Sequence, residues 1–154
     1  MRVFVTGVGG LVGSAVAELG RKLGHDVLGV DSDQRGEWFG PAGSVEWRLV
    51  ELAELGVAVS RADFRLVSPT LLASMDLVVH CASQPSHDYS HAHVLEDSAV
   101  NYTGTVELLE STRRASPRAV FVFVSTNKVY GDAINDLPFG LDRRRLSPQI
   151  FDLR

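Results

Sequence analysis

Short β-branched runs alternate along this chain with longer segments whose apolar residues recur at helical spacing. A parallel sheet with crossover helices leaves that pattern in a sequence. Arg2-Val3-Phe4-Val5-Thr6 predicts a first buried strand. Leu11 to Leu23 predicts a helix with Leu11, Ala15, Leu19 and Leu23 on one apolar face, ended by Gly24-His25. Val27-Leu28-Gly29-Val30 predicts a second strand closed by Asp31, Val57-Ala58-Val59 a weak third, Leu77-Val78-Val79-His80 a fourth and Ala119 to Val124 a strong fifth. Val94 to Arg114 is the longest helix, with Val106, Leu108 and Leu109 near its centre. No repeat, linker or low-complexity tract divides the chain.

These elements predict an α/β chain: a Rossmann-like, doubly wound parallel sheet with helices on both faces, occupying residues 1–154 as one domain. Residues 141–154 are expected to form an irregular tail, and a C-terminal substrate domain is expected to be absent. In such a sheet the binding crevice lies at the carboxyl ends of the strands, where the strand order reverses. Functional motifs should therefore follow strands, and here they do.

Composition narrows the classes. The chain has 154 residues, 45% hydrophobic and 22% charged, with a formal net charge of −4, which suits a soluble domain with a real core. The mildly acidic balance supplies no field for nucleic acid, and the only basic run is Arg143-Arg144-Arg145. No apolar stretch approaches the ~20 residues that span a bilayer, and Met1-Arg2 runs into a strand rather than a signal peptide, so a cytoplasmic location is expected. The single Cys81 has no partner for an internal disulfide.

Thr6-Gly7-Val8-Gly9-Gly10-Leu11-Val12-Gly13 follows the first strand and opens the first helix. Gly7 permits the tight turn, Gly10 lets backbone approach a pyrophosphate, and Gly13 lets helix and strand pack closely, with the phosphate on the helix N-terminus. Asp31 stands 18 residues past Gly13 at the end of the second strand. A carboxylate there accepts ribose hydroxyls and repels a 2′-phosphate, which favours NAD over NADP, while Arg35 keeps NADP open.

Asp63-Phe64 follows the third strand and suits either an adenine edge and face or an ordinary turn with a half-buried aromatic. His80-Cys81-Ala82-Ser83-Gln84-Pro85-Ser86-His87-Asp88 follows the fourth: small Ala82 and Ser83 would let a cofactor lie over the strand end, and Ser86, His87 and Asp88 offer polar groups to the crevice. Ser125-Thr126-Asn127-Lys128-Val129-Tyr130-Gly131-Asp132 follows the fifth, with hydroxyls suited either to a sugar hydroxyl or to a helix cap. His87, His91 and His93 lack a third acidic or thiolate ligand at ordered spacing, so no metal site is expected. No G-x-S-x-G elbow marks a serine nucleophile.

Taken in order, these motifs resemble the extended short-chain dehydrogenase/reductase superfamily of NAD-dependent sugar epimerases and dehydratases. Within it they are most similar to the CDP-paratose/CDP-tyvelose 2-epimerase group, through Thr6 to Gly13, Asp31-Ser32-Asp33-Gln34-Arg35, Gln84-Pro85-Ser86-His87-Asp88, Asn101-x-x-Gly104-Thr105 and Ser125 to Asp132. The resemblance implies tightly bound NAD that takes hydride from a carbon of a nucleotide-linked sugar and returns it to the opposite face. It implies Gly7, Gly10, Leu11, Val12 and Gly13 at the pyrophosphate, Asp31, Ser32 and Arg35 at the adenosine ribose, and Asp63 and Phe64 at the adenine. Cys81, Ala82, Ser83, Gln84 and Ser125 would lie on the nicotinamide side, with Asn101 buttressing the strand ends. Thr126 would be the catalytic hydroxyl, and Ser86, His87, Asn127 and Lys128 would face the sugar.

One departure matters. The superfamily's Tyr-x-x-x-Lys is absent, because Tyr89, Tyr102 and Tyr130 are followed four residues on by His93, Val106 and Ile134. Only 28 residues follow Thr126. Two expectations stand side by side: the cofactor-binding part of a nucleotide-sugar epimerase, or a catalytically silent NAD-binding module; another sugar epimerase or dehydratase differs only in substrate. A homodimer through Val94 to Arg114 is one expectation, but the apolar positions of that helix are equally those of a helix packed on the sheet.

Overall fold

The computed structural model describes residues 1–126, 138–142 and 145–148. Met1–Val124 forms one compact unit and Ser125–Arg154 a second. The first unit runs β1 (Arg2–Thr6), α1 (Leu11–Lys22), β2 (Asp26–Asp31), α2 (Gln34–Phe39), α3 (Glu46–Glu54), β3 (Ala58–Arg61), α4 (Pro69–Leu72), β4 (Leu77–His80), α5 (His87–Ala92), α6 (Val94–Ser98), α7 (Gly104–Ala115) and β5 (Val120–Phe123). The five strands form one parallel sheet in the order β3-β2-β1-β4-β5. The order reverses between β1 and β4, so the crevice opens above the end of β1.

Strand alternation sorts the core into two layers. Val3, Val5, Val27 and Val79 face one way and pack with Val8, Ala17, Leu49 and Leu52 from the α1 and α3 side. Phe4, Val30 and Val78 face the other way and pack with Phe64, Leu72, Val100 and Leu108. Both faces of the sheet are therefore covered, which is why its central strands read as near-continuous apolar runs.

The first helix turns differently from its apolar stripe. Leu11 is 90% exposed and Leu19 and Leu23 also face outward, while Gly13, Ser14, Ala17 and Gly20 are buried. The reason is distance: a Cβ on Gly20 would stand 2.9 Å from Val27 Cγ2, so only small residues let α1 lie this close to the sheet. The weak third strand starts one residue later than expected and runs on to Arg61. The long helix from Val94 is interrupted by a π-helical turn at Ala99–Thr103, and it buries Val100, Gly104, Leu108 and Thr112.

In the second unit, β6 (Phe139–Asp142) pairs antiparallel with β7 (Arg145–Pro148), where the sequence suggests an irregular tail.

Candidate functional site

The loop after β1 is built around absent side chains. Gly7 adopts φ +65°, and a Cβ there would sit 2.7 Å from the Ala82 backbone nitrogen. A Cβ on Gly13 would fall 2.1 Å from the Gly7 carbonyl oxygen, whereas one on Gly10 would meet the same oxygen at 3.3 Å. Gly9, outside the expected trio, is as constrained, since a Cβ there would lie 2.5 Å from Val45 Cγ2. No side chain caps α1 at Gly10, and no acidic residue occupies its first turn. The N–H groups of Leu11, Val12 and Gly13 therefore point out of the helix start without intrahelical partners, at the positive end of its dipole.

Asp31 closes this cradle on one side. Its Oδ2 accepts from the Gly9 N–H at 2.9 Å and its Oδ1 from the Asp33 N–H at 2.9 Å. The carboxylate is thus tied to the glycine loop itself. Ser32 is exposed beside it. Asp33, with φ +54°, accepts from the Val45 N–H at 2.7 Å and the Ser44 hydroxyl at 2.6 Å, and so ties the end of β2 to the start of α3. Arg35 is exposed, with its guanidinium 5.2 Å from the centre of the Phe39 ring.

Past β3, Asp63 caps the turn Phe64–Leu66 and pairs with Arg65 at 2.5 Å. Burial resists ionisation of Asp63, but the Arg65 side chain and backbone N–H outweigh it and hold the carboxyl below its usual range. Phe64 corrects an expectation. Its side chain is only 7% exposed and packs against His80 at 4.9 Å between ring centres, so it belongs to the core and presents no face to an adenine.

The end of β4 carries a buried polar chain that motif reading missed. The Ala82 N–H donates to Thr6 Oγ1 (3.2 Å), Thr6 Oγ1 meets His80 Nδ1 (2.6 Å), His80 Nε2 meets Thr105 Oγ1 (2.9 Å), and the Thr105 hydroxyl donates to the Asn101 carbonyl (2.9 Å). Because the Thr105 proton is committed to Asn101, the hydroxyl accepts from His80, which fixes the Nε2–H tautomer. Nδ1 is then the acceptor for the Thr6 hydroxyl. Burial pushes the His80 pKa down to about 4, so the ring is neutral near pH 7. Beside it, burial pushes the Cys81 thiol up to about 11, which removes any thiolate chemistry there.

Asn101 holds the loop after β4. Its Oδ1 accepts from the Gln84 N–H (2.8 Å) and its Nδ2 donates to the Gln84 carbonyl (3.0 Å) and to Asp97 (3.0 Å). The π-helical turn places Asn101 here. Gln84 corrects a second expectation: its side chain is 4% exposed and bonded to Ser86 and Asp97, so it shapes the loop from within and does not line the nicotinamide side. Ser86 is likewise committed, because its hydroxyl caps α5 by accepting from the Tyr89 N–H. Ala82 is half-buried, and Ser83 and His87 are exposed at the same end of the sheet. Ser125 and Thr126 are exposed in the second unit, and Asn127 and Lys128 lie outside the described residues.

A loop that excludes side chains, an open helix start and a tethered carboxylate at the second strand are the parts of a dinucleotide site. A family model for the NAD dependent epimerase/dehydratase family matches residues 3–148. The chain belongs to that family. Its curated relatives include UDP-glucuronate 4-epimerase 6 of Arabidopsis thaliana, 31% identical over 154 residues, covering 96% of this chain and 32% of that protein. They also include CDP-paratose 2-epimerase of Salmonella typhi, 30% identical over 137 residues and covering 86% of this chain and 38% of the relative. Among solved structures, UDP-glucose-4-epimerase from Stenotrophomonas maltophila with bound NAD is 28% identical, with a TM-score of 0.66, covering 85% of this chain and 38% of that one. UDP-glucuronic acid 4-epimerase from Bacillus cereus, at 24% identity, shares the fold with a TM-score of 0.71 over 96% of this chain. The chain spans about a third of the length of the curated relatives it matches. No helix among the described residues is long and apolar enough to cross a membrane.

Proposed function

We propose that this chain binds NAD at the carboxyl ends of β1, β2 and β4 and is the cofactor half of a nucleotide-sugar epimerase of the CDP-paratose 2-epimerase kind. The observation that carries the reading is Asp31, whose carboxylate is hydrogen-bonded to the Gly9 amide inside a loop that excludes side chains at Gly7 and Gly13. The amides of Leu11, Val12 and Gly13 receive the pyrophosphate, with Gly7 and Gly10 allowing its approach. Asp31, Ser32 and Arg35 hold the adenosine ribose, and Asp63 meets the adenine edge. Cys81, Ala82 and Ser83 form the small-residue floor on the nicotinamide side, held in place by Asn101 through Gln84. When bound, NAD supplies a reversible hydride acceptor. By the motif resemblance Thr126 would supply the catalytic hydroxyl and Ser125 would lie on the nicotinamide side, with His87, Asn127 and Lys128 facing the sugar.

A second reading is a catalytically silent NAD-binding module, which shares the same cofactor site. Both readings share one test. Calorimetry on the purified chain should show NAD binding, and Asp31→Ala should weaken NAD by at least about tenfold while weakening NADP less, since a charged hydrogen bond to ribose is lost. Equal losses for the two nucleotides would place Asp31 away from the ribose, and no NAD binding by the unaltered chain would remove both readings.

A further inference from the structure

The crossovers that leave β2 and β4 run to opposite faces of the sheet. After α2 the chain enters α3, whose Leu49 and Leu52 pack in the layer with Val3 and Val5. After α5 and α6 it enters α7, whose Leu108 packs in the layer with Phe4 and Val78. Yet α2 and α5 touch: the Trp38 and Tyr89 rings lie 5.4 Å apart between centroids, tilted by 44°. Since β1 lies between β2 and β4, two segments bound for opposite faces can meet only by crossing over the carboxyl edge of the sheet, above the end of β1. That is where the glycine loop stands.

The contact is braced on both sides. Tyr89 stacks on His93 at 4.1 Å with an interplanar angle of 19°, and its hydroxyl donates to Glu96 at 2.7 Å. Trp38 meets Phe39 edge-on at 6.4 Å, and Phe39 carries the Arg35 guanidinium over its face. The Ser86 cap fixes the start of α5, and the buried Gln84 fixes the loop before it. Neither ring belongs to the sheet core, so their packing is explained by what they span.

We infer that Trp38 and Tyr89 form a clasp over the glycine loop, beneath which a bound dinucleotide's pyrophosphate is threaded, and that the two rings must part for the nucleotide to enter or leave. This rests on the NAD reading above. A paired aromatic contact is worth about three- to tenfold in rate when it must break in the limiting step.

The test follows NADH release from the full chain by nucleotide fluorescence in stopped flow, displaced by excess NAD. Trp38→Ala and Tyr89→Ala should each speed both association and release by about three- to tenfold. The double variant should release no faster than either single one, because either loss opens the clasp. Trp38→Phe and Tyr89→Phe keep a ring in place and should keep slow release; should an alanine variant fail to fold, Trp38→Leu and Tyr89→Leu, which keep apolar bulk without a ring, should show the same faster release. Release rates within twofold of the unaltered chain in the folded alanine variants, or additive effects in the double variant, would overturn the clasp while leaving NAD binding intact. Failure of the unaltered chain to bind NADH or NAD would overturn both.

Discussion

At Gly13 the fold leaves no room for one more carbon, because an added Cβ would stand 2.1 Å from the Gly7 carbonyl oxygen. At Gly10 the same oxygen would be 3.3 Å away, and φ is an ordinary −71°. The two glycines of one motif therefore have separable roles. Gly13→Ala should cost stability by about 3 kcal/mol or more, the upper range for overpacking, seen as a lowered urea midpoint. Gly10→Ala should cost less than about 1 kcal/mol and weaken NAD instead, read by calorimetry. If both variants keep their midpoints, the close approach of helix and strand does not govern folding. The glycine spacing and Asp31 were legible in the sequence because their physics is local: a turn, a helix start and a strand end. Phe64 and Gln84 were not, because which way a side chain turns after a strand depends on what arrives from elsewhere. Here that is His80 and Gly104 for Phe64, and Asp97 for Gln84.

Between elements, His80 joins β1 through Thr6 to α7 through Thr105, and the chain ends on the residue that holds the Gln84 loop. Its cost is a titration. With a native pKa near 4 and an unfolded value near 6.5, the unfolded chain takes up a proton that the native ring refuses as pH falls from 6.5. The stability held above pH 6.5 should thus decline toward pH 4, by on the order of 3 kcal/mol in all, and then level off. Urea midpoints at pH 7.5, 6 and 5, above the carboxylate range, should fall in sequence, and His80→Gln should flatten that trend while lowering the midpoint at pH 7.5. A midpoint constant from pH 7.5 to 5 would mean that the ring titrates normally. Periodicity located the strands to within a residue or two, yet it misassigned the face of α1. Ala17, fully buried, should tolerate Leu poorly, at about 1–3 kcal/mol, whereas exposed Leu19→Gln should change the urea midpoint by less than about 0.5 kcal/mol. The stripe failed as a guide because contact with the strands selects small residues, and hydrophobicity scales do not register smallness.

For the chain as a whole, the described parts supply cofactor chemistry in far greater measure than proton chemistry. At the end of β4, buried His80 and half-buried Cys81 are held in their neutral forms, so neither serves as a base near pH 7. Sugar oxidation by this family's route needs a phenol or equivalent base that gives up its proton near neutral pH, and the 154 residues contain no Tyr-x-x-x-Lys to provide one. Thr126 can position a hydroxyl but cannot by itself accept a proton at that pH. The chain alone should therefore bind NAD and leave CDP-paratose unchanged, with chromatography of overnight reactions showing no epimer above the enzyme-free control. Adding back a segment that carries the Tyr-x-x-x-Lys pair should restore turnover if this lobe is the cofactor half of an epimerase, and should restore nothing if it is a silent module. Epimer formation by the pure chain would show that a group other than that phenol can take the proton.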